Sequence, residues 1–357
     1  MNLGNVLITG GAGFIGCALS NQLAMHAERW VVLDSLHPQV HENQVRPTAL
    51  HESAELIIGD IVDEKIWENI FDDFAPDLVI HLAAETGTAQ SMYESSRHAL
   101  VNVVGTTRLM DALGKAQIFP QQVILTSSRA VYGEGRWQTS EGIAEYPGIR
   151  SKQQLESGQW DFSELSPVPS AAQETWPHPT SVYGSTKLDQ EHLLSSWGAA
   201  NNVPITILRL QNVYGPGQSL SNPYTGIVSL FSQLARNRKS IPLYEDGNIV
   251  RDFVLIDDVV SALVAASQIQ QKETVLTCDV GSGVPTTISQ VAMWLCDFYD
   301  AEPPHVTGQF REGDVRYAAC NIDPTIQLLG WKPQHNLEEG LLKLQQWLQD
   351  ELSAKGL

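Results

Sequence analysis

Val6-Leu7-Ile8-Thr9-Gly10-Gly11-Ala12-Gly13-Phe14-Ile15-Gly16 decides the architecture of this chain. A short apolar run ends in glycines, and the glycines open a stretch, Phe14–His26, with helical periodicity. In that setting the spacing has a physical reading. Gly10 permits a tight turn, Gly13 lets backbone approach a pyrophosphate, and Gly16 allows the helix to pack closely on the strand. The helix N-terminus then faces the phosphate charge. A glycine triplet alone is a weak signal; between a strand and a helix it marks a dinucleotide site.

Outward from this unit the pattern repeats. Strands are expected at Asn5–Thr9, Trp30–Leu33, Glu55–Ile58, Leu78–Leu82, Gln122–Ser127 and Pro204–Leu210. Several are nearly continuous Val, Ile and Leu, as parallel strands covered on both faces require. Helical periodicity fills the intervals at Phe14–His26, Lys65–Phe74, Ser96–Lys115 and Val182–Ala200. The expected fold is α/β, a Rossmann-type doubly wound parallel sheet over residues 1–217. Residues 136–180, rich in Ser, Pro, Gln and Trp, interrupt the rhythm and are expected to form a long loop or lid. Beyond residue 217 the alternation fades, and residues 218–357 are expected to form a smaller α/β lobe for substrate. Its helices should include Ile288–Tyr299 and Leu337–Leu352, with the chain crossing between lobes.

Composition narrows the function classes. The 357 residues carry a net charge of −19, which disfavours nucleic acid and anionic membrane surfaces as partners. The four cysteines (Cys17, Cys278, Cys296, Cys320) are scattered, without a Cys-x-x-Cys pair, so free thiols are expected rather than disulfides or a zinc site. No apolar stretch approaches the roughly 18 residues needed to cross a bilayer, and the chain runs into its first strand without a signal-like segment. A cytoplasmic enzyme is the expectation.

Asp34 ends the second strand, 18 residues beyond Gly16. A carboxylate there accepts hydrogen bonds from the adenosine ribose and repels a 2′-phosphate, which favours NAD over NADP. Asp60, in Gly59-Asp60-Ile61 at the end of the third strand, is placed to meet the adenine edge. Tyr183 and Lys187, four apart on an expected helix, share one face. A phenol with an ordinary pKa near 10 becomes a usable base when a neighbouring cation favours its anion. Ser127 and Ser128 end the preceding strand and offer hydroxyls to a substrate. His81 is read as a structural strand-end residue.

Together these segments resemble the extended short-chain dehydrogenase/reductases, in their nucleotide-sugar epimerase/dehydratase branch, over almost the whole chain. The matching stretches are Ile8–Gly16, His81-Leu82-Ala83-Ala84, Val101–Thr106, Ser127–Gly133, Tyr183–Lys187, Arg209–Gly217, Arg251-Asp252-Phe253 and Arg311-Glu312-Gly313-Asp314. The resemblance implies an NAD cofactor held by Gly10, Gly13, Phe14, Ile15, Gly16, Asp34, Asp60, Ile61, Leu82, Ala83, Ala84, Asn102, Ser127, Tyr183 and Lys187. It implies Ser128, Tyr183 and Lys187 as the catalytic group. It places a nucleoside-diphosphate sugar against Glu85, Thr86, Ser128, Arg129, Asn212, Asn222, Tyr224, Arg251 and Arg311. Arginines suit bidentate phosphate contacts, and no metal is implied.

The 4,6-dehydratases of this branch carry an Asp-Glu pair after the catalytic serine, where this chain has Arg129-Ala130. Dehydratase chemistry is therefore not expected. The loops Ala84–Tyr93 and Ser128–Gly135 look most like dTDP-L-rhamnose 4-epimerase-type proteins, which implies 4-epimerisation of a dTDP-6-deoxyhexose. A 4-keto-sugar reductase would use the same Ser/Tyr/Lys group and is the competing reading. A non-catalytic dinucleotide sensor is disfavoured by the intact Tyr183 and Lys187. By resemblance a homodimer is expected, through the Ser96–Lys115 and Val182–Ala200 helices.

Overall fold

The apolar runs pair as expected. In the computed structural model of the protein, residues 2–41, 43–219, 226–271 and 273–354 are described. The chain opens with β1 (Asn5–Thr9), α1 (Phe14–His26), β2 (Arg29–Asp34), β3 (Glu55–Ile58), α2 (Glu64–Phe71) and β4 (Leu78–His81). A helical stretch follows as α3 (Thr88–Ser91), α4 (Ser95–His98), a π-helical segment over Ala99–Val104, and α5 (Gly105–Ala116). After β5 (Gln122–Ser128) and a 3-10 turn at Arg129–Tyr132 comes an excursion containing β6 (Trp137–Gln138), β7 (Ala144–Glu145), α6 (Lys152–Glu156) and β8 (Ser166–Pro167). The chain then returns through α7 (Val182–Asn201) and β9 (Ile205–Leu210).

The second part contains β10 (Asn212–Tyr214), α8 (Ile227–Arg236), β11 (Pro242–Leu243), β12 (Val250–Leu255), α9 (Ile256–Gln268) and β13 (Val275–Val280). It ends with β14 (Pro285–Thr287), α10 (Ile288–Tyr299), β15 (His305–Val306), β16 (Tyr317–Ala318), α11 (Asp323–Leu329) and α12 (Leu337–Ala354).

Seven strands form one parallel sheet in the order β13-β9-β5-β4-β1-β2-β3. Alternation along β1 shows why both faces are apolar. Val6 and Ile8 pack with Leu19 and Leu23 of α1 and Leu263 of α9, while Leu7 joins Leu109 and Leu113 of α5 and Leu194 of α7. Thr9 is in register with Leu33 on one side and His81 on the other. The carboxyl ends of β1, β2 and β4 therefore meet at one edge, where ligands bind in such sheets.

Two features add to the sequence reading. Beyond residue 217 the chain crosses between the lobes: α9 lies against α1 and β13 pairs with β9 along the large sheet. Thr277 and Asp279 dilute the apolar run of β13, which hid the strand. The excursion is tied to the rest of the chain. Arg150, buried within it, donates to one oxygen of Glu245 at 2.9 Å, forms an ion pair with the other at 2.8 Å, and donates to the Asp314 carbonyl at 2.8 Å, pinning it to the smaller lobe. That lobe has its own core, in which Phe231 of α8, Phe253 of β12, Leu295 of α10 and Leu344 of α12 take part.

Candidate active site

The glycine turn forms the floor of a cavity of about 1180 Å³ at the edge where β1, β2 and β4 end. Gly10, Gly13, Phe14, Ile15, Asp34, Asp60, Ile61, Leu82, Ala83, Ala84, Glu85 and Thr86 all line it. Gly10 has φ +69°, and a Cβ there would lie 2.6 Å from the Ala83 nitrogen, so the turn requires glycine. The Asp34 carboxylate accepts from the Ala12 N–H at 3.0 Å and the Leu36 N–H at 2.9 Å. These bonds fix an anion beside the turn, facing the cavity. The space, the glycine cradle and the fixed carboxylate fit NAD.

Gly16 plays the packing part expected of it: it does not line the cavity, and a Cβ there would come within 2.3 Å of the Gly11 carbonyl oxygen, so only glycine lets α1 pack on the turn. Asn102 is fully buried. Its side chain bonds the Glu85 N–H at 2.8 Å, the Glu85 carbonyl at 3.0 Å and the Thr186 hydroxyl at 2.9 Å. It therefore braces the loop after β4 against the catalytic helix rather than reaching the cavity.

The N-terminus of α7 is set by Ser181, whose hydroxyl accepts from the Gly184 N–H at 3.1 Å. Gly184 lets this helix approach the 129–132 turn, since a Cβ would sit 2.5 Å from the Ala130 carbonyl oxygen. The turn that follows Ser128 is thereby packed on the first turn of α7, which carries Tyr183. Burial pushes the Tyr183 phenol above its ordinary pKa, while Ser128 and the Arg129 charge pull it down. Burial pushes the Lys187 ammonium down to about 7, opposed by the Glu191 carboxylate. Besides the Lys187 that the sequence reading named, the structure sets a second cation, Arg129, where its charge acts on the phenol.

Beneath this group lies a network that sequence reasoning missed. Ser127 donates to Glu191, and Arg209 grips the same carboxylate at 3.0 and 2.7 Å. The Ser127 hydroxyl is thus turned inward, away from the cofactor role expected for it. Arg209 also lies over the Tyr132 ring at 4.8 Å, and the Tyr132 hydroxyl donates to Asp279 at 2.8 Å. The spacing Lys187–Glu191, again four apart, was the available signal. His81 is fully buried and bonded to Thr9 at 2.6 Å and Thr106 at 2.9 Å, with burial lowering it to about 3. It is neutral and structural.

On the substrate side, Arg129 is held by one bond to the Gly133 carbonyl at 3.1 Å and feels the charges of Arg251, Asp314 and Glu134. The Arg251 guanidinium bonds the Val250 and Val315 carbonyls and Asp314, the last at 2.6 Å. Arg251 is thus tied to the Asp314-Val315 segment, and it does not line the cavity at the glycine turn. Arg311 is exposed and stacks over Tyr244 at 5.0 Å. Asn212 is half-buried at the start of β10. Asn222 and Tyr224 lie outside the described residues. All four cysteines are free thiols. Among the described residues, no helix is long and apolar enough to cross a membrane.

A doubly wound sheet, a glycine-turn cavity with a fixed acid, and a Tyr/Lys pair beside a serine define an NAD-dependent enzyme that works on an alcohol carbon. Residues 6–278 match the model of the NAD dependent epimerase/dehydratase family, and the chain belongs to that family. It is 57% identical over 350 residues to dTDP-L-rhamnose 4-epimerase of Burkholderia thailandensis, covering 98% of this chain and 96% of that one. It is 30% identical over 344 residues to UDP-glucose 4-epimerase of Mycolicibacterium smegmatis, covering 94% and 96%. Its fold matches the structure of UDP-glucose 4-epimerase from Thermotoga maritima with UDP-glucose at a TM-score of 0.79 and 29% identity, covering 98% and 99%.

Proposed function

We propose that this chain is a nucleotide-sugar 4-epimerase acting through a transient 4-keto sugar on a dTDP-6-deoxyhexose such as dTDP-L-rhamnose. The carrying observation is the first turn of α7, with Tyr183, packed on the Ser128-Arg129-Ala130 turn, with no carboxylate pair where a dehydratase needs its acid and base. The 57% identity to a dTDP-L-rhamnose 4-epimerase supports the choice of sugar.

Ser128 and Tyr183 hold the C4 oxygen of the sugar between their hydroxyls. Tyr183, as its anion, takes the C4 hydroxyl proton and later returns it to the ketone oxygen. NAD, when bound, accepts the C4 hydrogen as hydride and gives it back, so there is no net oxidation. Lys187, beneath the tyrosine, binds the cofactor's ribose. Arg129 favours the Tyr183 anion electrostatically. Inversion requires that the ketone present both faces at one fixed position, so the pocket around the sugar must let it turn. Asn212, Arg251, Arg311, Asn222 and Tyr224 are proposed for the nucleotide and diphosphate, with Arg311 the guanidinium most open to solvent.

The deciding experiment is NMR analysis of the purified protein with dTDP-L-rhamnose and no added cofactor. Formation of the C4 epimer, dTDP-6-deoxy-L-talose, supports the reading. No conversion, together with NAD(P)H consumption on a dTDP-4-keto-6-deoxyhexose, makes the chain a ketoreductase instead. Tyr183→Phe should abolish turnover while cofactor still binds.

A homodimer is part of the same reading. Leu100 and Val104, 49% and 37% exposed on the π-helical segment beside α7, offer apolar surface for a second copy. Leu100→Glu should shift the protein to monomer in size-exclusion chromatography. Free thiols suit a reducing, cytoplasmic setting.

A further inference from the structure

The cavity has two walls that belong to different strands. β2 and β4 flank β1 on opposite sides. The segment after β2 contributes His37 and His41 to the lining, and the segment after β4 contributes Glu85 and Thr86. A dinucleotide running along the glycine turn from Asp34 to Ala84 lies between these walls. The walls are not separate.

Gln39 and Gln90 exchange a reciprocal pair of amide hydrogen bonds, Gln39 donating at 3.0 Å and Gln90 at 3.1 Å. Arg97 joins one lining residue from each wall, donating to Glu85 at 2.7 Å and approaching the His37 ring nitrogen at 3.5 Å. The same guanidinium donates to Gln39 at 3.3 Å and to Glu94 at 2.8 Å. Gln90 is buried, and its neighbour Ser91 accepts the Tyr183 N–H at 3.0 Å. The cross-link is thus anchored at the first turn of the catalytic helix.

We propose that Gln39, Gln90 and Arg97 form a strap that joins the two walls of the dinucleotide groove and keeps the cofactor on the enzyme through a turnover. They are positioning residues, since none lines the cavity. The purpose rests on the epimerase reading. Between the two hydride transfers the sugar is oxidised and the cofactor reduced. A cofactor lost at that moment strands a ketone and releases one reduced nicotinamide for each ketone formed. An enzyme that must return the same hydride gains from slow release in a way that a reductase does not.

The test uses bound NADH and no sugar, so it stands apart from the substrate assignment. Wild-type protein loaded with NADH is mixed with excess NAD, and the decay of bound-NADH fluorescence gives the dissociation rate. Gln39→Ala is expected to release NADH about tenfold faster, the equivalent of one or two hydrogen bonds, with its melting temperature unchanged. Gln39→Glu, which keeps the acceptor for Gln90 and Arg97, is expected to fall close to wild type. An unchanged release rate in Gln39→Ala overturns the strap. So does an equal acceleration in both variants accompanied by a lower melting temperature, which would mean general loosening. With sugar present, Gln39→Ala should leak free NADH and keto sugar in equal amounts. If wild type converts no sugar, the epimerase reading fails, while the NADH release rates still decide the strap.

Discussion

Glu191 lies one helical turn beyond Lys187 on α7 and accepts both hydrogen bonds of a bidentate Arg209, at 3.0 and 2.7 Å. The carboxylate faces two cations and a serine at once, in a place with almost no water. It balances Arg209 fully and favours the charged form of Lys187 in part. The floor of the catalytic group is therefore an ion network rather than an apolar layer.

Glu191→Gln should leave Arg209 as a buried cation without its anion, a loss of about 3–5 kcal/mol. It should also take away the one charge that supports a protonated Lys187. Thermal unfolding and turnover should both suffer. A variant with wild-type stability would show that Arg209 is neutralised elsewhere.

Lys187→Met should raise the melting temperature of the cofactor-free protein at neutral pH while abolishing turnover. Burial holds Lys187 near 7 in the folded state against an ordinary 10.5, so between those values the unfolded chain binds more protons than the folded one. Stability then rises with pH across that window, and the methionine variant lacks the rise. Melting curves at pH 7 and at about pH 9.5 check this: the advantage of the variant should shrink at the higher pH. A constant gap would show that Lys187 keeps its proton in the folded state.

Arg129→Met should move the acidic limb of the kcat profile to higher pH, by roughly one unit. Removing a cation whose charge acts on the phenol disfavours its anion, so burial weighs more heavily on Tyr183. A shift to lower pH, or none, would show that Arg129 does not act on Tyr183.

Asp34→Ala should weaken NAD binding roughly tenfold and let NADP bind measurably, because a fixed anion is lost where a 2′-phosphate would sit. Calorimetric titration with both cofactors is the check. Retained discrimination would place the selecting group elsewhere, with His41, 3.9 Å from the same carboxylate, the nearest candidate.

Arg150→Met should cost about 3–5 kcal/mol, since it removes the guanidinium that pairs with both buried carboxylates, Glu245 and Glu134. Burial already pushes Glu134 up to about 7. Differential scanning calorimetry of the variant measures the loss. Little change would mean that Arg316, which also donates to Glu245 at 3.1 Å, carries the junction alone.

Periodicity along the first 210 residues sufficed to place six of the seven strands, because parallel strands buried on both faces write unbroken Val, Ile and Leu. It failed at β13, where Thr277 and Asp279 interrupt the run. Asp279 is kept inside by bonds from Tyr132 at 2.8 Å and from the Ala172 N–H at 2.7 Å. A buried acid cannot be recognised before its partners are known, and these lie 147 and 107 positions away. The same holds for Glu191 with Arg209 and for Arg150 with Glu245. Local motifs disclosed the cofactor turn and the Tyr/Lys pair, since each is written within seven residues. The ties of Arg251 to Asp314 and to the Val315 carbonyl were equally hidden, because these partners lie 63 and 64 positions away.

The last strand of the large sheet is supplied by residues that follow the first part of the smaller lobe. A ribosome making this protein releases the cofactor half with β9 as a bare edge and one face of α1 uncovered, and both stay so until residue 280 has emerged. Bare strand edges invite pairing with other chains. A fragment ending at Gly217 should therefore aggregate when expressed alone, whereas one extended through α12, which completes both cores, should remain soluble. Whatever keeps nascent copies apart must act late in synthesis, long after the glycine turn has formed.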